Sequence, residues 1–222
     1  MLQEAIPPSL ATLLGDLCHW PLPADTYLAG GTAVALYLNH RVSIDIDLFT
    51  EKDFYSGPVI SFIGQNHTIE VTNVAERDTL LAIVDDVKLS LFKYPYPLVK
   101  PLVTNKVYSV YLASPEDIAA MKVVAIAQRG IAKDFVDLMA LMLAYEISLN
   151  ELMAMVQGKY RVSEEYHYQI KRSLVYFDDA VNSLGEVTII ENGERVRLDK
   201  KEWVKVEEFF KRLVLSGPHT GV

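Results

Sequence analysis

Apolar residues recur with two different periods along this chain, and the change falls near residue 113. Before it, short alternating runs predict strands over 26–29, 42–49, 69–73, 80–85, 87–93 and 107–112. A helical pattern over 9–18 precedes Pro21-Leu22-Pro23, a second helix is expected over 32–39, and a third near 57–65. The repeated prolines of Tyr94–Pro101 forbid regular structure and predict an extended connector. From residue 114 the apolar spacing turns to three and four, predicting helices over about 115–129, 133–145, 148–157 and 163–183. One hairpin interrupts them, Val187–Ile190 with Arg195–Leu198, because Asn192-Gly193 is a strong two-residue turn signal. Asp199 with Glu202 then caps a final helix reaching about Val214. The class is α+β: an α/β lobe over 1–113 with a mixed sheet, then a mainly helical lobe over 114–222, with substrate expected in the cleft between.

The strand over 42–49 carries unusual polar positions. Side chains alternate faces, so Val42, Ile44, Ile46 and Leu48 point one way and Arg41, Ser43, Asp45 and Asp47 the other. Two carboxylates two residues apart stand roughly 6 to 7 Å apart at their Cα atoms. At about 4 Å two like charges repel by roughly 4 kcal/mol at an effective dielectric near 20. Such a pair calls for a cation, or one acid holds a proton. With oxygen ligands alone the cation is magnesium, which uses one or two carboxylates and leaves positions for water and phosphates. The plain alternative is a wet strand face, although Asp is disfavoured in strands.

Upstream, Thr26–Ala29 runs into Gly30-Gly31-Thr32 and then the helical Ala33–Leu38. Glycines at a strand-to-helix turn let backbone N–H groups approach an anion at the positive helix end. Thr32 can cap that helix or offer its hydroxyl to a phosphate oxygen. Ser114-Pro115-Glu116-Asp117 marks a strong helix start. In that helix Lys122 borders the stripe of Ile118, Met121, Ala125 and Ile126, either snorkelling to water or presenting a point charge to phosphate. In the next helix Phe135, Leu138, Met139 and Met142 face a core. Lys133 and Asp137 are spaced for a surface pair, and Asp134 and Asp137 suit a helix start.

Charge narrows the partners. The net charge of −8 argues against broad nucleic-acid binding. Residues 1–150 hold 10 basic and 17 acidic side chains and 151–222 hold 11 and 12, so only the C-terminal part offers a local basic surface. No apolar run approaches about 18 residues and no signal-peptide pattern opens the chain, so a cytoplasmic protein without membrane contact is expected. Cys18 is the single cysteine, which excludes an internal disulfide. The five histidines, His19, His40, His67, His167 and His219, lack metal-ligand spacing.

The run Leu28–Phe49 resembles the first motif of the AbiEii/AbiGii toxin family, within the nucleotidyltransferase superfamily typified by DNA polymerase β. That motif is a Gly-Gly/Ser turn followed by Asp-x-Asp, with Thr32 here in the hydroxyl position. Lys122-Val-Val-Ala125 resembles the family's Lys-x-x-Ala motif. Lys133-Asp134-Phe-Val-Asp137-Leu138 resembles its Lys-Asp-x-x-Asp-Leu motif, with Arg129 upstream of the usual spacing. The resemblance spans about 26–143. It implies transfer of a nucleoside monophosphate from a nucleoside triphosphate to an acceptor hydroxyl, with tRNA as an acceptor. It also implies a toxin-like role in a toxin–antitoxin or phage-defence system, and a cognate antitoxin protein. On this resemblance Asp45 and Asp47 hold Mg2+, and Gly30, Gly31 and Thr32 cradle phosphates. Ser43 bonds phosphate or a metal-bound water, and Lys122 steadies pyrophosphate. Arg129 and Lys133 join the phosphate site, Asp134 positions the acceptor or removes its proton, and Asp137 is architectural. One departure stands out. The superfamily's third carboxylate would fall on 87–92, where the inward position is Ser90 or Lys88, while Asp85 and Asp86 are off register. That departure leaves two further readings: a non-catalytic fold binding nucleotide or protein, and a transferase acting on a small molecule such as an antibiotic.

Overall fold

The computed structural model describes residues 4–215. Seven strands form one mixed sheet: β1 (Tyr27–Leu28), β2 (Asp45–Thr50), β3 (Ile69–Val74), β4 (Thr79–Val84), β5 (Val87–Lys93), β6 (Val103–Asn105) and β7 (Val110–Leu112). Their spatial order is β3-β4-β5-β2-β1-β7-β6. β2 sits at the centre, antiparallel to β1 and parallel to β5. Alternation gives the sheet two unlike faces. Ile46 and Leu48 of β2, Leu80, Ala82 and Val84 of β4, and Val87, Leu89 and Leu91 of β5 are buried in one core. The opposite face of β2 and β5 carries Asp45, Asp47, Lys88 and Ser90.

Helices α1 (Pro8–Asp16), α2 (Gly30–Leu38) and α3 (Ser56–Ile63) intervene between or precede the strands. Then come α4 (Pro115–Gln128), α5 (Ala132–Ala144), α6 (Leu149–Tyr160), α7 (Glu164–Ser173), α8 (Asp178–Val181) and, after a hairpin of β8 (Thr188–Glu191) and β9 (Glu194–Arg197), α9 (Lys200–Leu215). The α+β class and the hairpin match the reading of the sequence. Asn192 and Gly193 both have positive φ, 52° and 81°, as the tight turn requires. Ser114 Oγ accepts from the Asp117 N–H at 3.0 Å and starts α4. Among the described residues no single helix is long and apolar enough to cross a membrane. His219 lies outside the described residues.

Three expectations are corrected. The helix expected over 163–183 is broken after Ser173 and restarts at Asp178. Its break lets Phe177 join an aromatic cluster, 5.4 Å from Phe135 and 6.0 Å from Trp203 between ring centroids. The strand expected from residue 42 begins at Asp45. Val42 donates instead to the Thr188 carbonyl at 2.8 Å and Ser43 to the Ala5 carbonyl at 2.9 Å. The segment before β2 is thus held by Ala5 on one side and by β8 on the other, and the hairpin docks there through an Arg41–Ile189 bridge. Finally, the strand expected over 107–112 is confined to β7 (Val110–Leu112), which pairs antiparallel with β6 (Val103–Asn105), a strand the sequence did not predict.

Candidate active site

Asp45 and Asp47 stand on the floor of a cleft of about 460 Å³ between the sheet and helices α4 and α5. The parallel register sets Lys88 beside Asp45 and Ser90 beside Asp47. Burial pushes the Asp47 carboxyl above the usual carboxylate range; the Lys122 charge opposes that shift and the Asp45 charge adds to it. Asp45 is approached by the Lys133 ammonium at 3.5 Å. Among the described residues no ion pair compensates Asp47, which takes a hydrogen bond from Ser90. An acid left this way either keeps its proton or receives a cation.

The first turn of α2 fits closely over this pair. Gly30 has φ +63°, and a Cβ there would strike the Asp47 carboxylate. A Cβ on Gly31 would strike the Arg41 guanidinium. Ala29 donates to the Asp47 carbonyl at 3.0 Å, so strand and turn are bolted together. Both glycines line the cleft, where first-turn N–H groups lack intrahelical partners and can receive an anion. Thr32 is placed differently from the expectation. Its buried hydroxyl bonds Ser43 Oγ at 2.9 Å and donates to the Asp45 carbonyl, so it fixes β2 against α2 and does not reach the cleft.

The helical wall supplies cations already engaged with acids. Lys122 Nζ lies 2.6 Å from Asp137 Oδ2 and 3.1 Å from Asp134 Oδ1. Arg129 grips Asp134 with two N–H groups, at 2.8 and 3.0 Å. Arg41 does the same to Asp137, at 2.6 and 2.8 Å, and His40 Nε2 donates to that carboxylate at 2.8 Å. Burial, the largest influence, raises both acids. The charges of Arg41 and Lys122 outweigh it at Asp137, and Lys122 with Arg129 outweighs it at Asp134, leaving both below the usual range. Both therefore stay ionised. Burial holds the His40 imidazole below its ordinary value, so it is the neutral donor. The alternative of a surface pair between Lys133 and Asp137 is overturned: Asp137 is fully buried and Lys133 turns to Asp45.

Sequence comparison decides between the kinds of protein this cleft could serve. The chain matches the family described as "Nucleotidyl transferase AbiEii toxin, Type IV TA system" over residues 12–95 and 92–216. This chain belongs to the AbiEii nucleotidyltransferase toxin family. It is an enzyme of the nucleotidyltransferase kind. It is also 40% identical over 194 residues, 86% of each chain, to the uncharacterized protein aq_aa25 of Aquifex aeolicus (strain VF5). Two solved structures share the fold. The MenT4 nucleotidyltransferase toxin of Mycobacterium tuberculosis H37Rv has a TM-score of 0.54 at 13% identity, over 95% of this chain and 83% of that one. JHP933 of Helicobacter pylori has a TM-score of 0.51 at 17% identity, over 93% and 88%.

Within this AbiEii chain the cleft gathers Gly30, Gly31, Ser43, Asp45, Asp47, Lys122, Arg129, Lys133 and Asp134, all but one of the residues singled out in the sequence. Thr32 is the exception. Phe49, Lys88, Phe92 and Gln128 also line it and were not assigned a role. Extending the alternation by two positions, from Asp47 to Phe49 and from Ser90 to Phe92, would have found both rings. Asp85 and Asp86 do not substitute for a third carboxylate. Both have positive φ, 45° and 67°, in the two-residue β4–β5 turn, and Asp85 bonds His67 at 2.7 Å and the Thr68 N–H at 2.9 Å. Among the described residues no group of three acids, histidines or cysteines gathers to hold a metal. The carboxylates in the cleft that could hold a cation are Asp45 and Asp47, within magnesium's habit of taking one or two carboxylates.

Proposed function

We propose that this AbiEii-family enzyme moves a nucleoside monophosphate from a nucleoside triphosphate to an acceptor hydroxyl on tRNA, with Mg2+ between Asp45 and Asp47. The observation that carries this reading is the uncompensated Asp47 beside Asp45 on the cleft floor, directly beneath Gly30 and Gly31. In it the sheet lobe of residues 1–113 contributes the acids and the glycine turn, and the helical lobe of 114–222 contributes the cations. A divalent ion bound there would polarise the transferred phosphoryl group and neutralise its developing charge. The first-turn N–H groups of α2 receive phosphate oxygens. Lys133, on a flexible stem, exchanges Asp45 for a phosphate oxygen. Arg129 and Lys122 stay aligned by Asp134 and stabilise charge on the departing pyrophosphate. Asp134 acts by this positioning. A carboxylate held below its usual range is a weak base, so the alternative role in proton removal is not assigned to it. The acceptor oxygen bonds the α-phosphorus as the bond to the bridging oxygen breaks, pyrophosphate departs, and the hydroxyl proton passes to solvent. Lysine and arginine outnumber acids among the cleft-lining residues, which supports a polyanionic substrate pair. The family's toxin–antitoxin assignment supports a cytoplasmic site of action, a role in phage defence and a cognate antitoxin.

The test is transfer of radiolabel from each nucleoside triphosphate to bulk tRNA, with mass spectrometry of the tRNA ends. Asp47→Ala should lower transfer by more than about a hundredfold, as loss of transition-state charge stabilisation does. Its thermal midpoint should stay within a few degrees of the parent, because the side chain lines the cleft and lies outside the hydrophobic core. Turnover equal to the parent's would overturn the proposal.

A further inference from the structure

The described chain is acidic, yet its cleft is not. Five cationic side chains (Arg41, Lys88, Lys122, Arg129 and Lys133) line it against three acids, Asp45, Asp47 and Asp134, in a protein of net charge −8. Four of the five are occupied. Arg41 and Lys122 hold Asp137, Lys122 and Arg129 hold Asp134, and Lys133 faces Asp45. Lys88 differs. It is exposed on β5, shares the cleft face of the sheet with Ser90, and is the cross-strand partner of Asp45. Among the described residues it makes no ion pair, although Asp45 is its partner on the neighbouring strand, whose backbone lies about 4.8 Å away. Its ammonium is therefore an uncommitted positive charge at the mouth of an anion-binding cleft.

Resting on the proposed transfer reaction, we infer that Lys88 is a substrate-binding residue that contacts a phosphate oxygen in the cleft. The recognised chemistry is a phosphate group, and two substrates carry it: the incoming triphosphate and the backbone of the acceptor. Lys88 acts as a flexible point charge with three donors, suited to either.

Binding without turnover separates the two sources. The probes are inorganic tripolyphosphate with magnesium, which needs no base preference, and bulk tRNA with oxidised 3′ ends. Each is titrated against the parent protein, Lys88→Gln and Lys88→Arg, with circular dichroism confirming the fold of each variant. Lys88→Gln should weaken one probe roughly tenfold, the range of a charge-assisted contact, and Lys88→Arg should restore it. A loss on tripolyphosphate assigns the residue to the triphosphate. A loss on tRNA, with the slope of log K against log salt reduced by about 0.7 to 0.9, assigns it to the acceptor. Parent-like affinity of Lys88→Gln for both probes overturns the inference, and leaves the transfer proposal standing if the parent still labels tRNA. Failure of the parent to bind either probe or to transfer label overturns both.

Discussion

Gly30 shows how narrowly single residues are specified here. A side chain at φ +63° is strained in its own backbone, and its Cβ would also displace the Asp47 carboxylate. Gly30→Ala should therefore destabilise the protein by about 1 to 2 kcal/mol in urea unfolding and lower label transfer far more than that loss explains. Parent-like transfer would show that the turn tolerates a shift of Asp47. The acid pair and the glycines were readable in the sequence because strand alternation and turn chemistry are local rules. Thr32 was misassigned because nothing local tells whether its hydroxyl turns to solvent or to Ser43. Asp137 was recognisable as architectural only by family resemblance. Its partners Arg41 and His40 lie 96 and 97 residues away, beyond any periodicity.

Elements were legible wherever their signals are internal. Ser148 starts α6 with a full capping box, its Oγ accepting from Glu151 N and the Glu151 carboxylate accepting from Ser148 N at 2.9 Å. Ser148→Ala should cost about 1 kcal/mol in urea unfolding and leave label transfer unchanged, since this cap is exposed and outside the cleft. A loss of transfer would instead couple α6 to the site. Elements decided by distant packing were not legible. The 163–183 pattern keeps helical spacing through Leu174 and Phe177, and only the ring cluster with Phe135 and Trp203 favours the break. β6 has three residues and exists through pairing with β7, so no internal pattern announces it.

Across the whole molecule, ionised acids buried among cations tie stability to pH. Asp134 and Asp137 have folded values below the ordinary unfolded value of about 3.9. Their contribution is complete above that value and is lost as pH falls through the folded values, because the unfolded chain then binds more protons. Asp47, raised by burial, has the opposite sign, so its contribution is lost as pH rises out of the acid range. Asp137→Asn separates the two. It should lower the free energy of unfolding at pH 7 by about 3 to 5 kcal/mol, the cost of breaking a buried pair. It should also show a shallower fall in urea midpoint below about pH 4 than the parent. Equal slopes would place the acid sensitivity elsewhere. The same long-range contacts that sequence patterns could not reveal have a temporal consequence. Arg41 needs α5 for its carboxylate, and the strand leading to Asp45 needs residues 188–190 for its hydrogen bonds. Protein leaves the ribosome from its N-terminus at about 5 to 20 residues per second, so a nascent chain spends about 8 to 30 seconds with the glycine turn synthesised and its clamps still unmade. The strand that carries the acid pair therefore cannot take its final hold until the β8 segment has emerged.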